Sequence, residues 1–214
     1  MINVALVGNP NTGKTTVFNA LTGSKQYVGN WPGVTIDKKY GFINKDIKIV
    51  DLPGIYAMDT YSNEEKVSRA YLENEDVDLI INVVDATNLE RNLYLTTQLM
   101  QFNKPILVLL NMMDIANKRG LNIDTDMLAE KLGVSILQIS AKKKAGLENI
   151  SEEINKAIEI IPNYNIKFDT ENDAYSYIDE LIKQSSKVSG KSNYIGEKID
   201  KVVLNPILAY PVFL

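Results

Sequence analysis

Lys14 and Thr15 close the stretch Gly8-Asn9-Pro10-Asn11-Thr12-Gly13-Lys14-Thr15, which fits G-x-x-x-x-G-K-[ST]. The pattern describes a loop whose backbone N–H groups converge on an anion and cradle the α- and β-phosphates of a nucleotide. Its lysine reaches the β- and γ-phosphates, and the hydroxyl that follows ligates magnesium. Gly8 and Gly13 supply backbone shapes that a Cβ would obstruct. Asn9, Pro10, Asn11, Thr12 and Thr16 share the loop and its exit. An apolar run, residues 2–7, precedes the loop, and a helical pattern, residues 15–21, follows it. Strand, loop and helix in that order are the context the motif requires, so a nucleoside triphosphate is the expected ligand.

Further residues extend this chemistry. Asp51-Leu52-Pro53-Gly54 follows the apolar run 47–50. A carboxylate at that strand end is placed to hold magnesium through water, and the Gly54 N–H to meet a γ-phosphate. Thr35, in Gly29-Asn30-Trp31-Pro32-Gly33-Val34-Thr35, can give magnesium a second hydroxyl when a γ-phosphate is present, the behaviour of an order–disorder switch. Backbone groups of Gly33, Val34 and Thr35 are candidates to orient an attacking water. Asn111-Met112-Met113-Asp114 ends the run 106–110. Asp114 can accept from guanine N1–H and its exocyclic amine, a donor pair that adenine lacks. By analogy with base readout in nucleic acids, such a contact discriminates by about 1–3 kcal/mol. Asn111 can tie the base loop to the phosphate loop. In Ser140-Ala141-Lys142 the Ala141 N–H is placed to meet guanine O6. Met112 stands where N-K-x-D has a lysine, and its flexible thioether can pack over the base.

Composition narrows the alternatives. The chain has 214 residues, 45% of them hydrophobic, enough for one large domain or one domain with an appendage. Its net charge of −4 argues against nucleic acid as the main partner. Cysteine and histidine are both absent, which excludes disulfides, thiolate nucleophiles, a Ser-His-Asp triad and His-ligated zinc within this chain. Met1 leads straight into an apolar run, so no signal peptide is expected, and no 18-residue apolar span is present. Residues 202–214 are nearly all apolar, and the expectation is a cut made as a membrane segment begins.

Strand-length apolar runs at 2–7, 39–43, 47–50, 79–84, 106–110 and 136–139 alternate with helical patterns at 15–21, 64–72, 89–102, 125–132 and 147–160. Continuous Val/Ile/Leu strands mean burial on both faces, and the alternation is an α/β signature. The motifs above all fall at strand ends, where such sheets bind ligands. Pro162 ends the fifth helix, and residues 163–172 read as a polar connector. Residues 174–183 form an amphipathic helix, and residues 184–192, rich in Ser, Lys and Gly, read as mobile.

Five motifs in this order resemble the Ras-like phosphate-loop GTPases in translation-factor-like form. The resemblance implies a six-stranded, mostly parallel sheet with one antiparallel edge pair (39–43 with 47–50) and helices on both faces. The blocks Val28 to Thr35, Asp51 to Tyr56 and Asn82-Val83-Val84-Asp85-Ala86-Thr87-Asn88-Leu89-Glu90-Arg91-Asn92-Leu93 narrow it further. With the phosphate loop they resemble the N-terminal G domain of the ferrous iron transport protein B family over residues 1–160. That resemblance implies GTP hydrolysis with Mg2+ on the cytoplasmic face of a membrane, ahead of a polytopic transport domain. It also implies a potassium ion held by Asn11 with backbone carbonyls near Gly29 and Trp31. Small accessory Feo proteins and oligomerisation are further implied partners, and nucleic acid is not expected.

The implied division is a G domain at 1–162, a reduced helical extension at 163–200 and a membrane approach at 201–214. The family's helical module slows GDP release, but only about fifty residues follow Pro162 here, so that role is not expected. Ile55 stands where Ras-like enzymes have a water-orienting Gln, and no Arg lies in the phosphate loop or in residues 28–36. An arginine finger is worth about 10³–10⁵ in rate, so slow unaided turnover is expected, with potassium substituting for the finger's charge. Three readings remain: a GTPase that energises iron uptake, a pure GTP switch, and a soluble GTPase of ribosome assembly or tRNA modification.

Overall fold

The computed structural model describes residues 1–23, 25–58, 61–164 and 166–188. Five parallel strands form its centre: β1 (Ile2–Gly8), β4 (Ile47–Asp51), β5 (Leu79–Asp85), β6 (Ile106–Asn111) and β8 (Ser135–Gln138). They are joined by β2 (Gln26–Asn30) and β3 (Asp37–Phe42) in the order β2-β3-β4-β1-β5-β6-β8. The central strands are apolar on both faces, and alternate residues divide between two cores. Val4, Leu6, Ile81, Val83, Leu107 and Leu109 face one side. Ala5, Val7, Ile80, Val84, Val108 and Leu110 face the other. The first core is covered by α1 (Lys14–Thr22) and α6 (Ile150–Ile158). The second is covered by α2 (Asn63–Asn74), α3 (Leu89–Leu99), α5 (Thr125–Leu132) and α7 (Glu171–Ser185). Each fully buried Leu or Ile contributes about 1.5–3 kcal/mol of transfer free energy, so burial on both faces fixes the sheet in the molecule's centre.

The architecture is the one expected, with a seventh strand in place of six. β2 pairs antiparallel with β3, and β3 pairs antiparallel with β4, so the antiparallel edge has three strands instead of two. Four of the five β2 residues are exposed, so the strand has no apolar face to betray it. Its support is lateral: Tyr27 stacks on Tyr40 of β3 at 5.0 Å between ring centroids.

The region after Pro162 also departs from expectation. Residues 163–172 are not a free polar connector: Tyr164, Ile166 and Phe168 pack against the second core, and Tyr164 Oη donates to the Lys104 carbonyl at 3.0 Å. α7 begins at a Thr170–Asp173 capping box and buries Ala174, Ile178 and Leu181. Residues 184–185 continue it. Then β9 (Ser186–Val188) pairs antiparallel with β7 (Leu121–Ile123), which follows the short helix α4 (Met113–Lys118). The rest of the stretch read as mobile, and the apolar run 202–214, lie outside the described residues. Among the described residues no helix is long and apolar enough to cross a membrane.

Candidate functional site

The strand ends carry the site. Gly8, Asp51, Asp85 and Asn111 are the last residues of β1, β4, β5 and β6. After Gly8 the chain turns through Asn11 at φ 68 and Gly13 at φ 87, both left-handed, and enters α1. Such backbone is rare outside glycine and is held here by its surroundings. A Cβ on Gly13 would stand 2.5 Å from Asn111 Nδ2, and one on Gly8 would stand 2.8 Å from the Val83 carbonyl oxygen. Both glycines are therefore demanded by close approach. The first turn of α1 carries no acidic residue, unlike those of α2, α6 and α7, which leaves its positive dipole end open to an anion. Thr15 and Thr16 sit exposed in that turn, and Thr12 Oγ1 donates to the Asn9 carbonyl at 2.9 Å. Asn9 is buried, and its amide has no hydrogen-bond partner.

Lys14 Nζ pairs with Asp51 Oδ1 and donates to the Leu52 carbonyl at 2.5 Å. The two charged groups meet in a cleft of about 400 Å³ that Thr35 and Glu64 also line. Thr35, Asp51 and Lys14 thus line one cleft. Glu64 was not anticipated as a lining residue; it lies in the first turn of α2, inside the Ser62–Glu65 capping box, and the S-x-x-E pattern marks that helix start in the sequence. Ile55 is buried in the second core, so its side chain faces away from the cleft. A Cβ at Gly54 would meet Pro10 only at ordinary contact, 3.6 Å, so packing alone does not require glycine there.

At the other end, Asn111 joins two loops. Its Nδ2 donates to the Thr12 carbonyl at 2.8 Å, and its Oδ1 accepts the Ala141 N–H at 2.9 Å. Asn111 therefore does tie the end of β6 to the phosphate loop. It also engages the Ala141 N–H that the sequence assigned to guanine O6. Met112, left-handed at φ 63, places its Cε about 4 Å from where a Gly13 Cβ would be, against the phosphate loop. Asp114 accepts from Ser140 Oγ at 3.0 Å and pairs with Lys143 at 3.1 Å. The Lys143 ammonium, then the Ser140 hydroxyl, hold its carboxyl below the ordinary aspartate value of 3.8. Lys142 lies exposed in the turn Ala141–Lys143. In a run of three lysines, sequence could not tell which one turns back to Asp114.

Gly29 and Trp31, whose carbonyls were expected to join Asn11 around potassium, sit in the β2–β3 hairpin. Gly29 pairs with Lys38 in the ladder. The Trp31 carbonyl accepts the Val34 N–H at 3.3 Å. The Trp31 ring is buried, edge-on to Tyr71 of α2 at 5.4 Å, with the Lys38 ammonium 4.6 Å from its centroid. Gly33 is left-handed at φ 77, and Val34 is half-buried against the second core.

Comparison with known proteins agrees with this geometry. The family model of ferrous iron transport protein B matches residues 2–154. The Fe(2+) transporter FeoB of Campylobacter jejuni is 39% identical over the whole chain, which spans 36% of that transporter's length. The cytosolic domain of L. pneumophila FeoB superposes with a TM-score of 0.79 at 35% identity, over 86% of this chain and 99% of that one. A mutant S. thermophilus NFeoB bound to GDP gives 0.73 at 42% identity, over 86% and 79%. The fold is that of a phosphate-loop GTPase, and the chain belongs to the ferrous iron transport protein B family.

Proposed function

We propose that this chain binds GTP and GDP with Mg2+, hydrolyses GTP, and thereby controls ferrous iron uptake through an attached membrane domain. The observation that carries the reading is the Asn111 bridge. One side chain ties the phosphate-binding loop to the turn at Ala141, whose neighbours Ser140 and Lys143 hold a carboxylate suited to guanine. The GDP in the S. thermophilus relative, and the transporter name of the C. jejuni one, supply the nucleotide and the cargo. Family membership sets aside ribosome assembly and tRNA modification. Residues 1–162 are the G domain on this reading, 163–200 a reduced extension and 201–214 the approach to the membrane, with the domain on its cytoplasmic face. Accessory Feo proteins and self-association through the membrane domain belong to the same proposal.

Thr15, Thr35 and Asp51 form an all-oxygen donor set, which fits a hard cation such as Mg2+. When bound, that ion offsets charge on the β- and γ-phosphate oxygens. The chain itself contributes Lys14, the loop N–H groups and the Gly54 N–H, all of which stabilise negative charge during in-line attack by water. Ile55 is buried and no arginine is among the residues that line the cleft, so the missing charge falls to potassium held by Asn11, an exposed residue of the loop, with the Gly29 and Trp31 carbonyls. Hydrolysis measured in potassium chloride should exceed that in sodium chloride at equal ionic strength. Equal rates, or undiminished stimulation in Asn11→Ala, would refute the potassium assignment. ATP displacing GDP as well as GTP does would refute the guanine assignment.

A further inference from the structure

The cleft beside the phosphate loop contains a second lysine that the chemistry above leaves unused. Lys39 of β3 lines it together with Lys14, Asp37, Asp51 and Glu64. The antiparallel register sets Lys39 directly opposite Asp51. Residues so opposed share a face of the sheet, with Cβ atoms about 4.5–5.5 Å apart. Asp51 turns that face into the cleft, where it meets Lys14. Lys39 is half-buried there, and among the described residues no carboxylate pairs with it.

The charge balance of the lining gives this lysine a task. Asp37, Asp51 and Glu64 outnumber Lys14 and Lys39 by one, and without Lys39 the excess doubles. A γ-phosphate adds negative charge at the place where carboxylates already predominate. GDP leaves that place empty. We infer that Lys39 is a positioning residue for the terminal phosphate, the cation that makes the site favour a triphosphate over a diphosphate. It acts from within the chain, on a strand held in register by both neighbours, and it requires no partner protein. The inference rests on the proposed GTPase reading and adds the residue that tells GTP from GDP.

The test compares Lys39→Gln, Lys39→Arg and Lys48→Gln in the whole chain. Lys48 is the control cation: it lies on β4 against the Tyr40 ring, outside the cleft lining. Affinities for GDP and for the non-hydrolysable GMPPNP are measured by titration calorimetry, and single-turnover GTP hydrolysis by quench. Losing one charge-assisted hydrogen bond predicts GMPPNP binding weaker by about tenfold or more in Lys39→Gln, with GDP affinity within about threefold. Single-turnover hydrolysis falls with it. Lys39→Arg restores most of the GMPPNP preference, and Lys48→Gln leaves it unchanged. A GMPPNP-to-GDP ratio unaltered in Lys39→Gln overturns the inference, as does an equal loss for both nucleotides or the same change in Lys48→Gln. A wild-type chain that binds neither nucleotide overturns the GTPase reading itself.

Discussion

Asp114, the carboxylate proposed to read the base, is kept charged by its neighbours. Its carboxylate is only part-exposed and is held by a hydroxyl from Ser140 and an ammonium from Lys143. Both partners favour the ionised form, so its titration lies below 3.8. A depressed carboxyl pKa contributes stability that is fully present above the unfolded value and is lost as pH falls through the folded one. The Asp114 carboxylate therefore keeps its charge through the whole neutral and mildly acidic range, and loses it only in acid below that value. Lys143→Ala should move the Asp114 titration up toward 3.8, read by carboxyl-carbon NMR. An unmoved titration would assign the depression to Ser140 alone. Much of this was legible in the residues: N-x-x-D after an apolar strand fixed Asn111 and Asp114. The choice of Lys143 over Lys142 was not, because a three-residue turn decides which side chain folds back. Lys39 was hidden for a similar reason, since only the hairpin register reveals what lies opposite Asp51.

Legibility at the level of elements followed burial. β1, β5 and β6 are apolar on both faces and could be read at sight. β2 is exposed and borrows its pairing from β3, so its own residues carry no signal. α4, β7 and β9 are too short for any period to register. The stretch before α7 did carry one, an alternation of Tyr164, Ile166 and Phe168, within otherwise polar sequence. α7 itself is a member of the second core. Ile178 is fully buried in it, and Tyr94 of α3 stacks on Tyr175 at 4.8 Å. Ile178→Ala should therefore destabilise the chain by about 2–5 kcal/mol, the range for truncating a buried aliphatic side chain. Urea unfolding checks this, and a loss below about 1 kcal/mol would mean that α7 is peripheral.

For the molecule as a whole, the two cores and the Asn111 bridge make nucleotide affinity and global stability one property. A ligand that binds only the folded chain adds about 2.7 kcal/mol at one hundred times its Kd. GDP should thus raise the melting temperature of the wild type, and should recover part of the loss in Ile178→Ala, a position buried in the core under α7. A melting temperature indifferent to GDP would separate the site from the fold. Trp31 adds a consequence of another kind. It is the chain's single tryptophan, packed on Tyr71 beneath the Lys38 ammonium in the hairpin that leads to Thr35. Indole emission from this chain therefore has one source, within four residues of Thr35 in sequence. Any motion that lifts the ring from Tyr71 changes both the ring's surroundings and its quencher, so the unlabelled chain carries its own optical gauge of that hairpin.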